Sequence, residues 1–562
     1  MTNLSTVFRL SCFVLIFICS SCKQKASSPN AALASIDLKR EELLLCSTEQ
    51  FGDVSFALDC NYEVREVFDL ALSLLHSFEY AEAEKTFVKV IDADPECAMA
   101  YWGVAMSIYH SLWAPPNADD LRKGSKLIDI AQSLDKSEKA KQYIEAIGAY
   151  YKDWEQVDHQ TREVRYANKM EDIYLSDKDD AEATVFYALA LTSSAAPNDK
   201  TFYNQRKAGA LLEKLFEERP NHPGIAHYII HSYDYPELAS LGLNSARRYA
   251  EIAPGSAHAQ HMPSHIFTRL GLWQESIDTN INSASSAQCY AQSVNPNATW
   301  TQEIHAVDYL VYAYLQLGDN EKALEYIKEM RGVDTVFPAN DLASAYALTA
   351  IPIRMALENK NWEDAANLEL PKTEFDWEKS PWQEALLHFG KALGYAHLGK
   401  ISAAENELKT LKELHQQLEN RDSYKATQVK IQIHAADAWI QLAKGHNSEA
   451  LSLMELAAKM EAKTSKHPVT PGEVLPADEL LGDLLLKLNK PTEALKVYEV
   501  NLESRPNRFN GLYGAAVAAK QSGNNDKATL YFNKLLELTK SSNGERPEIT
   551  EANQFISKHQ II

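Results

Sequence analysis

Apolar residues recur at three- and four-residue spacing along almost the whole chain, with polar residues filling the opposite face. That period predicts amphipathic helices, and no stretch alternates in the two-residue rhythm of a strand, so the predicted class is all-α. The helical pattern is broken by proline in two places. Pro371 to Trp382 (PKTEFDWEKSPW) separates an N-terminal array from a C-terminal one, and Thr464 to Pro476 (TSKHPVTPGEVLP) cannot continue a helix.

Aligning the segments on their small residues exposes a repeat. Leu481-Gly482, Ala494, Tyr498 and Pro506 form one frame, and Ala528 with Phe532 repeats it thirty-four residues later. The frame returns at Ala83, Phe87 and Pro95, at Ala323, and at Tyr395, Ala404 and Leu408. Two helices approach closely only where one side chain is small, and an aromatic four residues on fills the gap beside it. This pattern resembles the tetratricopeptide repeat. The resemblance implies an α-solenoid of helix–turn–helix units, roughly ten of them, with the first helix of each lining a concave groove. The blocks LSLLHSFEYAEAEKTF, DPECAMAYWGVAMSIYHSLW, PGSAHAQHMPSHIFTRLG and PADELLGDLLLKL are similar, in this order, to a group of large bacterial tetratricopeptide proteins. That similarity covers most of 46–540 and implies the fold, with no activity attached.

The first residues read as processing signal. Arg9 precedes the apolar run Leu10 to Ile18, too short to span a bilayer, and the sequence then reads Cys19-Ser20-Ser21-Cys22 before polar Lys23-Gln24-Lys25. The segment resembles a bacterial lipoprotein processing site, although Cys19 stands where that pattern usually has a branched apolar residue. The resemblance implies cleavage before Cys22 and lipidation of its thiol. An ordinary signal peptide, with Cys22 incidental, is the alternative. Either way the expectation is an exported protein, and Lys23 after a lipidated cysteine resembles outer-membrane sorting more than inner. The expected organisation is a signal peptide at 1–21, a lipid-anchored tether and N-terminal segment at 22–62, and repeat arrays at 63–370 and 383–542. A polar tail at 543–562 completes it.

Charge narrows the partners. The chain carries 56 Lys+Arg against 77 Asp+Glu, a net −21, which becomes −22 when Arg9 leaves with the signal peptide. Such a surface repels phosphate backbones, so no nucleic-acid partner is expected, and contact with membrane is expected through the lipid anchor alone. Beyond the signal region the cysteines are Cys46, Cys60, Cys97 and Cys289. A disulfide between Cys46 and Cys60 would close a short loop around Phe51-Gly52-Asp53, with Cys97 and Cys289 as small core residues.

Chemistry concentrates in histidine. Five of the 17 histidines fall within residues 227–265, where about one would be expected. HYIIH sets His227 and His231 one turn apart on one helical face, a spacing that lets two imidazoles share an ion. HAQHMPSH adds His258, His261 and His265, with Pro263 in the first turn of a helix, His258 and His261 on the loop before it, and His265 within it. His305, on the next groove-lining helix, would bring a third such helix to the same stretch of groove. Asp234, Glu303 and Asp308 are available as ligands or as acceptors for ring N–H groups. Tyr228, Ile229 and Ile230 separate His227 from His231, so the glutamate base of a zinc metalloprotease is missing. An all-imidazole set suits copper, zinc, iron or nickel. The plainer expectation for any one of these histidines is a hydrogen bond at a helix seam.

Other candidates are His110 beside Trp113-Ala114-Pro115-Pro116 and His467 in the proline-rich loop, each also explained by loop packing or exposure. His76, Tyr101, Trp102 and Trp273 read as repeat packing. No phosphate-binding glycine loop and no nucleophile elbow is present in the sequence. The sequence therefore supports a binding scaffold whose groove holds a protein, peptide or small ligand, with a histidine-lined site for copper, zinc or iron. One alternative is a metal-dependent enzyme in which His227, His231, His261 and His265 are ligands and His258 or His305 completes the set. The other is a purely structural assembly factor.

Overall fold

The computed structural model describes residues 33–45, 51–56, 59–112, 115–196, 199–464, 467–542 and 546–559. The signal peptide, Cys22, Cys46, Trp113 and Ala114 lie outside the described residues. Helical hairpins follow one another from Arg65–His76 with Tyr80–Ala93 to Phe509–Gln521 with Asn525–Leu538, forming an α-solenoid. The sole strand pairing among the described residues is a two-residue parallel bridge, Thr299–Trp300 with Val336–Phe337. No helix among them is long and apolar enough to cross a membrane.

The small-residue frame is the packing frame. Ala83, Ala323, Ala404, Ala494 and Ala528 are fully buried, as are Phe87 and Phe532. Tyr498 lies between two glycines: a Cβ on Gly482 would come within 2.5 Å of its ring and one on Gly514 within 2.3 Å. Inside many hairpins the chain turns through one left-handed residue. Gly271, Gly318, Gly399, Gly445 and Gly523 fill that place, as do Lys360 and Asn489, and in the hairpin after Arg65–His76 it falls to Phe78, at φ 57°. A bulky side chain there costs about 1–2 kcal/mol against the right-handed conformation, so something must hold Phe78.

Four expectations are corrected. The segment expected as a tether packs on the body: Leu33, Ile36, Leu38, Phe51 and Phe56 are buried, and the Leu44 N–H donates to Glu82. Cys60 pairs with Cys97, Cα–Cα 4.8 Å, and not with Cys46. Helix packing sets the residue just before the first hairpin against the N-terminus of Ala98–Tyr109, a proximity that sequence separation hides. Cys289 is also disulfide-bonded, so neither Cys97 nor Cys289 is simply a small core residue. The expected polar tail contains the helix Pro547–His559, whose Ile549, Ala552, Phe555 and Ile556 are buried and cap the last hairpin.

The proline break at 371–382 does not divide the core. Tyr346, Ala350 and Ile353 before it share one apolar cluster with Leu386 and Phe389 after it. The second break, 467–476, turns inward. Arg354, fully buried, donates to the carbonyls of Gly472 and Glu473 and to Thr470 Oγ1, at 2.8–2.9 Å. The chain's own proline-rich loop thus occupies the space beside the Leu342–Glu358 helix.

The two arrays are tied together farther along. Trp273 Nε1 donates to the Asn507 carbonyl at 2.7 Å, and the Pro506 carbonyl sits so close to Gly271 that a Cβ there would meet it at 2.2 Å. Buried Arg508 joins Glu479 and Glu358 at 2.6 Å each and Tyr312 Oη at 2.7 Å. The Phe509 N–H donates to Gln316.

Candidate metal centre

The six candidate histidines meet as two triads. His227, His231 and His258 form one and His261, His265 and His305 the other, the ligand atoms of each lying within 4.8 Å of one another. Each triad draws on different helices. His227 and His231 come from Pro223–Tyr233, which begins at Pro223 with His222 accepting from the Ile225 N–H. His258 and His261 come from the short helix Ala257–His261, capped by Ser256, rather than from a loop. His265 lies in Pro263–Leu270 and His305 in Thr301–Gln316. All but His231, which is half-buried, are buried.

The partners of the Nδ1 atoms fix the tautomers. His227 Nδ1 is 2.6 Å from the His76 carbonyl, which can only accept, so Nδ1 carries the proton and Nε2 a bare lone pair. That lone pair faces His231 Nε2 at 3.1 Å and His258 Nε2 at 3.2 Å. In the second triad His265 Nδ1 is 2.9 Å from Asp234 Oδ2, a carboxylate held from its other side by Arg269. His261 Nδ1 is 2.7 Å from Asn280 Oδ1, and Asn280 donates its own amide to the Ser276 carbonyl, which leaves its oxygen for the histidine. Both rings are therefore protonated on Nδ1, yet their Nε2 atoms lie 3.1 Å apart. Two nitrogens at that distance need a cation between them, either a shared proton or a metal ion.

Ring spacings scatter on both sides of the value for one ion per triad. An imidazole on a metal places its ring centre about 3.2 Å from the ion, so two rings on a trigonal or tetrahedral ion are about 5–5.5 Å apart. The first triad spans 4.8, 5.0 and 6.4 Å and the second 5.0, 4.3 and 6.4 Å. Burial, then neighbouring imidazoles, holds His227 and His261 well below the ordinary histidine range. Burial and then His265 bring His258 to about 3. These three rings are thus neutral at pH 7, the form that binds metal.

Of the three acidic candidates, Asp234 meets a histidine. Glu303 accepts instead from Gln288, and Asp308 pairs with Arg354 at 3.2 Å, so both carboxylates are committed elsewhere. Two further groups of possible ligands are closed by their own bonds. His76 and His222 both donate through Nε2 to Glu182, at 3.0 and 2.9 Å, while their Nδ1 atoms accept from Tyr228 and the Ile225 N–H. Cys60 and Cys97, beside Asp94, are joined to each other. His467 packs on Trp382 and Tyr424, and His110 on Tyr80.

Sequence reasoning missed Asn280, the His76 carbonyl and Phe78. The ring of Phe78 lies 4.4, 5.4 and 5.6 Å from those of His227, His231 and His258. These contacts hold it in its left-handed turn. A cavity of about 640 Å³ reaches His258 past Phe78, with Tyr80, His110, Trp300 and Glu79 on its walls. Glu79 accepts from Ser256 at 2.6 Å, and burial raises its carboxyl to about 7.

Residues 479–543 match the family model of the tetratricopeptide repeat. No curated protein matches the chain. Among solved structures, the yeast Tom70 crystal structure is 12% identical with a TM-score of 0.32, covering 89% of this chain and 96% of that one. The human IFIT1 dimer with PPP-AAAA is 14% identical with a TM-score of 0.34, covering 86% and 96%. Likenesses this distant carry no argument about function. The chain is an α-solenoid whose residues 479–543 match the tetratricopeptide repeat, and its six candidate histidines gather in one cluster.

Proposed function

We propose that the solenoid is a scaffold built around a transition-metal centre, held by His227, His231, His258, His261, His265 and His305, that acts on a small ligand. The observation that carries this reading is the pair His261 and His265. Their Nδ1 protons are committed to Asn280 and Asp234, while their Nε2 atoms face each other at 3.1 Å, a gap that a cation must bridge. With the proline-rich loop beside Leu342–Glu358, the ligand reaches the centre through the cavity at His258. Neutral imidazoles favour copper or zinc over magnesium or calcium. The leader, the Cys60–Cys97 bond and the net charge of −21 support an exported, lipid-anchored protein that does not bind nucleic acid.

The test is elemental analysis of the mature protein, purified without a histidine tag or chelating resin. Near-stoichiometric transition metal, lost in the His231→Ala, His265→Ala double variant, is the expected result. A protein that stays metal-free after incubation with copper, zinc and iron overturns the reading and returns the search to a protein or peptide partner.

A further inference from the structure

Resting on the reading above, we infer that the two triads form a single dinuclear copper centre that takes dioxygen as a bridging ligand between its ions. The first ground is adjacency. His258 and His261 share one short helix but belong to different triads, so that helix forms a common wall. The rings of His231 and His265, one from each triad, are 6.4 Å apart, no farther than the widest pair within either triad. With each ring centre about 3.2 Å from its own ion, that closeness leaves room for two ions about 3.5–4 Å apart, the spacing at which one small ligand spans both.

The second ground is charge. An imidazole ligates a metal as a neutral group, and Asp234 meets the centre through the ring of His265 with Arg269 on its other side. Two divalent ions there would place four positive charges in a buried site, which is costly at low dielectric without a bridging anion. Two Cu(I) ions bring only two positive charges. When dioxygen binds, each Cu(I) gives up one electron and becomes Cu(II), dioxygen takes both and becomes peroxide, and no proton moves. The product, two Cu(II) and one peroxide dianion, again carries two positive charges. The reaction leaves the net charge of the buried site unchanged, so the surrounding dipoles have little to reorganise. A zinc pair has no such redox route and lowers its four charges only by holding an anion such as hydroxide.

The third ground is access. His258 belongs to the first triad and also lines the cavity of about 640 Å³, so a diatomic ligand arriving there is already beside one ion. The aromatic ring of Phe78 forms the apolar wall of that triad.

The experiment uses the full mature chain, stripped of metal and titrated anaerobically with Cu(I) against a competing colorimetric chelator, then exposed to dioxygen. Expected are two copper ions per chain and uptake of one dioxygen per two copper ions. An intense near-ultraviolet charge-transfer band should accompany uptake, with no electron paramagnetic resonance signal, because the two Cu(II) spins couple through the bridge. His305→Ala should bind one copper, take up no dioxygen and give no band. If that variant does not fold, His258→Gln serves the same purpose from the other triad. One copper per chain, or two that oxidise to independent paramagnetic Cu(II) signals without dioxygen uptake, overturns the inference and leaves the metal centre standing. Failure to bind copper or zinc in any state overturns both.

Discussion

At the scale of single residues, the centre depends on groups that never touch an ion. Asn280 offers its oxygen to His261 because its amide is bound to the Ser276 carbonyl. Asn280→Leu removes that acceptor, frees the His261 tautomer, and should weaken metal binding about 10–100-fold, measured by chelator competition. Asn280→Asp keeps an acceptor and should retain affinity, and equal behaviour of the two variants would count against the tautomer argument. A histidine elsewhere behaves in the opposite sense. Burial alone would lower His388, but Glu384 and Glu407 more than offset it and raise it to about 9. Its folded pKa lies above the unfolded value of about 6.5, so its contribution to stability is complete below that pH and lost as pH rises through about 9. The Tm difference between wild type and His388→Gln should therefore be large in mild acid and vanish by about pH 10.

At the scale of elements, the helix crossings decide which changes are tolerated. Ala in place of a helical glycine normally stabilises by about 0.5–1 kcal/mol. At Gly514 it meets the Tyr498 ring at 2.3 Å, and that ring cannot swing away, because Gly482 backs its other side and Asp483 holds its hydroxyl at 2.6 Å. Gly514→Ala should therefore lower stability by about 1–3 kcal/mol, read from thermal or denaturant unfolding. The crossings were legible in the sequence because Ala494 and Tyr498, Ala528 and Phe532, repeat in one register. The grouping of the histidines was partly legible: His227 and His231 follow helical periodicity, and His258, His261 and His265 stand close together in sequence. The division into two triads was not, since it depends on how three separate segments cross. Nor were the acceptors, since His227 relies on a carbonyl 151 residues away. Asp308 misled because it lies one turn from His305, while Arg354, from another helix, claims its carboxylate.

At the scale of the whole molecule, the C-terminal repeats are bound to the N-terminal ones through a few buried groups. Arg508 neutralises Glu358 and Glu479 where none of the three is exposed. Arg508→Met leaves two carboxylates buried without their cation and should cost about 3–5 kcal/mol, seen as a lower denaturant midpoint and as faster proteolysis between the arrays. The Pro371–Trp382 break suggested two separable arrays, because sequence records where helices stop and not which apolar faces meet afterwards. The clasp at Gly271, Trp273 and Asn507 has a mechanical consequence. An ordinary repeat array resembles a coil spring, each unit joined only to its neighbours and free to unspool in turn. Here distant coils are riveted together, so the molecule behaves as a braced hoop. Stretched between its termini in a single-molecule force experiment, it should hold until the clasp shears and then give way in one large step, where an open spring would yield one repeat at a time.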